Sequence, residues 1–157
     1  MPETSYIYLT LFGDFDPDEI APLITLAPSV SYRKHSRSEE HRLPRVSRLS
    51  YGLLESTDRC PDIYQLSEQL VDMLEPHAAE FTDVINQYEI ECCCSICLWI
   101  SLDSSVSTPT IGFSRRVTRF LASVNASIDV DSYRDSDGDE ENKEGEQDGA
   151  GDAEKAV

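Results

Sequence analysis

"IECCCSICLWISL", residues 90–102, places Ile90, Cys92, Cys94, Ile96, Leu98 and Ile100 at alternating positions. In an extended chain successive side chains point to opposite faces, so this spacing lines one face with apolar groups. The stretch reads as the central strand of a sheet, its alternate residues facing packed layers. Working outward, residues 61–88 carry the longest helical pattern. Ile63, Leu66, Leu70, Met73 and Leu74 form one stripe, and Phe81, Val84, Ile85 and Tyr88 form a second. Pro76 lies between them and predicts a kink or two consecutive helices. Downstream, "SSVSTPT" is a loop, Ser114 caps a helix that turns Val117, Phe120, Leu121 and Val124 inward, and "SIDVDSY" closes the folded part as a strand. Arg115, Arg116 and Arg119 fall outside that helix's apolar stripe.

At the N-terminal end, "SYIYLTLF" (5–12) reads as a buried strand ended by Gly13 and Asp14. A helix follows, with Asp16 at the N-cap, Pro17 at N1 and Glu19 at N3, then a stripe of Ile20, Leu23 and Ile24. Pro22 should shorten or kink it. Residues 29–34 and 47–56 read as further strands, joined by a polar stretch that is an exposed loop or a loosely paired hairpin end. Strand, capped helix and strand recur at 5–34 and 96–133, the outline of a duplicated βαβ unit. The expected fold is therefore α+β: a two-layer sandwich with a mixed β-sheet and about three helices packed on it.

Residues 1–133 form one expected domain, and 134–157 an acidic tail. The tail holds four of the seven glycines, no aromatic residue and Val157 as its only β-branched residue, a composition that predicts disorder. The net charge is −17, of which the tail carries −7 and the body −10. A field of that sign repels nucleic acid and anionic membranes and favours basic protein partners. The N-terminus lacks the basic region of a secretory signal, and no run approaches the ~18 apolar residues of a membrane span. Five cysteines, four crowded into "CCCSIC", do not form a secreted disulfide framework and point to a reducing cytoplasm.

The combination of "YIYLTLFGDFDPDEIAPLITLAP", "SYRKHSRSEEHRLPRVSRLSYGLLES" and "LVDMLEPHAAEF" resembles the bacterial domain-of-unknown-function family 4279, over roughly residues 5–133. Asp16 with Pro17, "YGLLES" (51–56) and "LEP" (74–76) stand where that family has its helix-opening Asp-Pro, its Trp-Ser-Leu-Glu-Ser-like strand and its Leu-Glu-Pro. Tyr51 replaces the family's usual tryptophan. The resemblance implies a small α+β domain and carries over no catalytic residue.

Chemistry-bearing patterns are few. Asp14, Asp16 and Asp18 mimic the start of a calcium loop, but Glu19 stands at the turn-glycine position and Thr25 at the bidentate one, so they read as a helix start. Asp135, Asp137, Asp139 and Glu146 fit that spacing better, yet Glu140 again replaces the glycine, and a solvated charge run is the plainer reading. Cys94 and Cys97 form a CxxC, but three residues apart on a strand they point to opposite faces and read as buried thiols. His35, His41 and His77 belong to no nucleophile or metal motif. No metal and no cofactor is expected.

The one basic cluster of the body is a candidate interaction loop of Arg33, Arg37, Arg42, Arg45 and Arg48, flanked by Tyr32 and Tyr51. Its aromatic interleaving is thin for nucleic acid, and the acidic body argues against that partner. The expected function is that of a non-enzymatic bacterial cytoplasmic protein-interaction domain, of the kind that neutralises a toxin as an immunity protein. The alternative is a small-ligand-binding domain or an enzyme, with a site built from Arg33, Arg45, Arg48 and Glu55.

Overall fold

The computed structural model describes residues 4–134. Five strands form one sheet: β1 (Ser5–Gly13), β2 (Val30–Tyr32), β3 (Ser47–Ser56), β4 (Glu91–Ile100) and β5 (Ala126–Arg134). Their spatial order is β2-β3-β1-β4-β5. All neighbours are antiparallel except β4 and β5, which are parallel. The helices are α1 (Pro17–Ile20), α2 (Ile63–Leu74), α3 (Ala78–Tyr88) and α4 (Arg115–Ser123). The fold is thus α+β with a mixed sheet, as the periodicities predict.

Several details depart from the sequence reading. The centre of the sheet is β1, which pairs with β3 on one side and β4 on the other, so the cysteine strand lies one place off centre. Pro22 shortens the first helix to a single α-turn followed by a 3₁₀ turn at Ala21–Leu23. Pro76 does the same between α2 and α3, in a 3₁₀ turn at Glu75–His77. The duplicated βαβ outline resolves into two different arrangements. β4, α4 and β5 form a unit of adjacent parallel strands, whereas β3 is inserted between β1 and β2. The connection from 33 to 46 is a loosely closed hairpin end with one isolated bridge, Ser38 to Leu43, and further hydrogen bonds from the His35 N–H to the Pro44 carbonyl and from the Arg37 N–H to the Leu43 carbonyl. Arg134, assigned to the tail from sequence, ends β5; the remainder of that tail, 135–157, lies outside the described residues.

Alternation sorts the sheet into two faces. Ile7, Leu9 and Leu11 of β1, Leu49 and Tyr51 of β3, and Cys92, Cys94, Ile96 and Leu98 of β4 join Ile20, Ile63, Leu70, Leu74, Phe81, Val117 and Phe120 of the helices in one core. Side-chain caps start three helices: Asp16 Oδ1 accepts from the Asp18 N–H, Asp62 Oδ1 from Gln65, and Ser114 Oγ from Val117. The cap by Asp62 has a sequence signature, an Asp immediately before the first apolar position of the stripe. Cys94 faces this core and Cys97 the other side, so the CxxC is split across the sheet.

Candidate functional site

The face turned away from the helices carries the even-numbered side chains of β1 and their register partners. Tyr6 stands between Glu55 and Cys97, Thr10 between Ser50 and Cys93, and Phe12 between Arg48 and Glu91. Tyr32 of β2 lies beside Arg48, and Trp99 of β4 beside Tyr133 of β5. Six aromatic side chains, those of Tyr6, Tyr8, Phe12, Tyr32, Trp99 and Tyr133, therefore share one sheet face, and none of them belongs to the core. Tyr6 stacks on Tyr8 at 6.0 Å between ring centroids, and Trp99 on Tyr133 at 5.2 Å. β1, read as a buried strand, sends Ile7, Leu9 and Leu11 into the core, while on the other face Thr10 is buried and Tyr6, Tyr8 and Phe12 are half-buried.

A β-bulge shapes this face. Between the pairs Ile7–Leu54 and Leu9–Tyr51, β3 contributes two residues, Gly52 and Leu53, against Tyr8 alone. Gly52 has φ +68°, and a Cβ there would come within 2.7 Å of Leu70 Cδ1 on α2. Only glycine satisfies both conditions. The extra residue turns Leu53 outward, where it closes one side of a cleft of about 250 Å³ lined by Tyr6, Tyr8, Tyr32, Arg48, Ser50 and Glu55 as well.

The electrostatics of the face are uneven. At the β2 margin the Arg48 guanidinium lies 5.9 Å from the Phe12 ring centroid and that of Arg37 lies 4.7 Å from the Tyr32 ring centroid. At the β5 margin Asp129 and Asp131 project from the same face, opposite Ser95 and Cys97. A hydrogen bond with the Cys97 thiol, together with burial, pushes the Tyr6 hydroxyl up to about 12. Tyr6 is thus a neutral phenol at pH 7, a hydrogen-bonding group on an apolar ring. No histidine lines the cleft.

The five arginines of the predicted interaction loop do not converge on one point. Arg33 is engaged with the helix-capping Asp16, at 2.9 Å, and with Asp18. Arg37 stacks on Tyr32, Arg42 occupies a left-handed turn with φ +51°, and Arg45 is exposed. Only Arg48 reaches the cleft. Of the alternative site, Arg48 and Glu55 line the cleft while Arg33 is held on the Asp16–Asp18 turn and Arg45 lies outside it. Sequence reasoning missed Tyr6, Tyr8, Ser50 and Leu53. The signal for the tyrosines was the alternation in "SYIYLTLF", in which every second residue before Leu11 is polar or aromatic-hydroxyl.

The remaining chemistry-bearing residues have structural employment. His77 Nδ1 lies 3.0 Å from Thr25 Oγ1 and 3.2 Å from Glu80 Oε2, tying the chain just after the first 3₁₀ turn to the start of α3. Hydrogen bonds from the Thr25 amide and hydroxyl, and His77 beside it, hold the Glu80 carboxyl below its ordinary range. All five cysteines are free, with Cys60 exposed and the other four buried. Among the described residues no group of three or more His, Cys, Asp or Glu is placed to hold a metal ion.

A family profile described as Domain of unknown function (DUF4279) matches residues 3–135, spanning every strand and helix above. The chain belongs to the DUF4279 family. No curated protein and no solved structure matches it. The segments "FGDFDPDEI", "YGLLES" and "LEP" of this DUF4279 domain correspond to the α1 turn, the end of β3 with its bulge glycine, and the passage from α2 to the 3₁₀ turn. Tyr51 is fully buried against Phe81, edge to face at 5.0 Å, on the side of the sheet opposite the cleft. Among the described residues no helix is long and apolar enough to cross a membrane.

Proposed function

We propose that this DUF4279 domain is a non-catalytic binding module of a bacterial cytoplasm, which takes a protein partner on the open aromatic face of its sheet. The observation that carries this reading is the placement of Tyr6, Tyr8, Phe12, Tyr32, Trp99 and Tyr133 on the one sheet face that stays outside the core. Aromatic side chains with a polar tip are the groups that dominate protein interfaces, because they bury large areas at a cost of only two torsions. The acidic body, at a net −17 for the whole chain, supports a basic partner and a fast, charge-steered encounter. An immunity-type role, in which the domain covers the working surface of a toxin, fits that charge. Five free cysteines support the reducing compartment.

A second reading rests on the cleft itself. Arg48 and Glu55, on either side of two tyrosines, can orient a small zwitterionic or hydroxylated ligand by charge while the rings cover its apolar part. One experiment addresses both. The wild type and a Tyr6→Ala/Tyr8→Ala variant are used as baits in the native host, and both proteins and released small molecules are identified by mass spectrometry. A protein captured by the wild type and lost with the variant, at unchanged melting temperature, supports the first reading. A small molecule with that behaviour supports the second, and equal capture by both baits removes the face from consideration.

A further inference from the structure

We infer that the free edge of β5 is a docking edge that accepts a basic, extended segment of a partner protein as a sixth strand. This rests on the protein-interaction reading above but not on the cleft, which lies at the other end of the sheet. β5 pairs with β4 alone, through an unbroken parallel register from Cys92–Ala126 to Ile100–Arg134. Its other edge meets no strand among the described residues, and every residue after Ala126 is exposed. At nine residues it offers about 30 Å of unpaired backbone. Edges of this length are ordinarily blunted by proline, by a bulge or by charged side chains, lysine above all. β5 has no proline, lysine or bulge, and its charges are Asp129, Asp131 and, at its last residue, Arg134.

What it has instead is a pattern. Asp129 and Asp131 project from the open face, and Ile128 and Val130, 43% and 36% exposed, from the opposite one. A second copy of β5 is a poor occupant. Full-length antiparallel pairing sets Asp129 against Asp131 twice, and parallel in-register pairing sets each aspartate against itself. Like charges directly opposite one another destabilise a strand pair, whereas opposite charges stabilise it. The edge is thus closed to its own copy and complementary to a strand with lysine or arginine at every second position and β-branched residues between. The stacked Trp99 and Tyr133 rings at the far end of the face add an aromatic surface for a terminal cation.

The test uses an N-acetylated Lys-Val-Lys-Val-Lys-Val-Lys peptide, its Glu-Val counterpart, and a Lys-Val version N-methylated along one edge. Each is titrated into isotopically labelled full-length protein and followed by amide shifts and exchange. The expected result is binding of the Lys-Val peptide alone, with shifts and slowed exchange concentrated in residues 126–134. Asp129→Asn/Asp131→Asn weakens it about tenfold, two lost cross-strand charge pairs, while Glu40→Gln, in the exposed 33–46 connection, leaves it unchanged. Equal binding of the N-methylated peptide would mean that charge alone attracts it, and overturns the proposal. So does binding of the Glu-Val peptide with the same affinity, or no binding by any of the three. Shifts centred on Tyr6, Tyr8 and Arg48 overturn the edge and leave the aromatic face standing.

Discussion

At the scale of single residues, Tyr51 carries a buried hydroxyl that has no hydrogen-bond partner, and burial pushes it up to about 12. A desolvated, unpaired hydroxyl is a cost, and phenylalanine keeps the ring and its contact with Phe81. Tyr51→Phe is therefore expected to leave stability unchanged or raise it by about 1 kcal/mol, read from denaturant unfolding. Gly52 is the opposite case. Alanine there meets both a left-handed φ and the Leu70 methyl, and Gly52→Ala should lose about 2–4 kcal/mol. A variant as stable as the wild type would mean that the bulge is not fixed by α2. The thiols make a third test. Burial raises Cys92 and Cys94 to about 12, and Cys93 and Cys97 are also covered, so native protein should react rapidly with one equivalent of a thiol reagent, at Cys60. Denatured protein should react with five. These residue-scale facts were unevenly legible in the sequence. The splitting of Cys94 from Cys97 follows from strand parity alone. The need for glycine at position 52 depends on a methyl group eighteen residues away, which no local pattern encodes.

At the scale of elements, the strands and helices were mostly readable because each carries its own period. Residues 47–56 and the two halves of 61–88 fall where their spacing put them, and the Asp16 and Ser114 caps are formed. What parity could not reveal is which face stays bare, because that depends on where α2, α3 and α4 pack, and those contacts are distant along the chain. The spatial spread of the arginine loop was hidden for a related reason. A run of like charges in sequence says little about convergence in space, and Arg33 turned out to close onto the α1 cap. That contact and one other make a pH prediction at this scale. The Asp18 amide and then Arg33 hold Asp16 below its ordinary range, while the Ser105 hydroxyl and amide and then Arg59 hold Asp103 at about 2. A carboxyl lowered on folding stabilises the folded state above its unfolded value, and that contribution is lost as pH falls toward the folded one. The melting temperature should accordingly fall between pH 3.8 and about 2, and less steeply in Asp103→Asn. Parallel curves for the two proteins would show that the 101–105 turn is uncoupled from folding.

At the scale of the whole molecule, the sheet is assembled in an order unlike that of the chain. The first strand synthesised is the middle one: Ser5 pairs with Ser56, and Tyr6 with both Glu55 and Cys97. During translation, Ile7, Leu9 and Leu11 leave the ribosome with both strand edges vacant, and the second edge is closed only when the residues of β4 have emerged. A nascent chain ending before Glu91 therefore displays an apolar strand with at least one edge unpaired, the kind of segment that chaperones capture and that nucleates aggregation. Non-local pairing of this sort also slows folding. Ribosome-arrested chains ending before Glu91 should bind a general chaperone, and chains carrying all of β4 and β5 beyond the exit tunnel should release it. The position of one strand in the sheet thus sets how long the young protein needs protection.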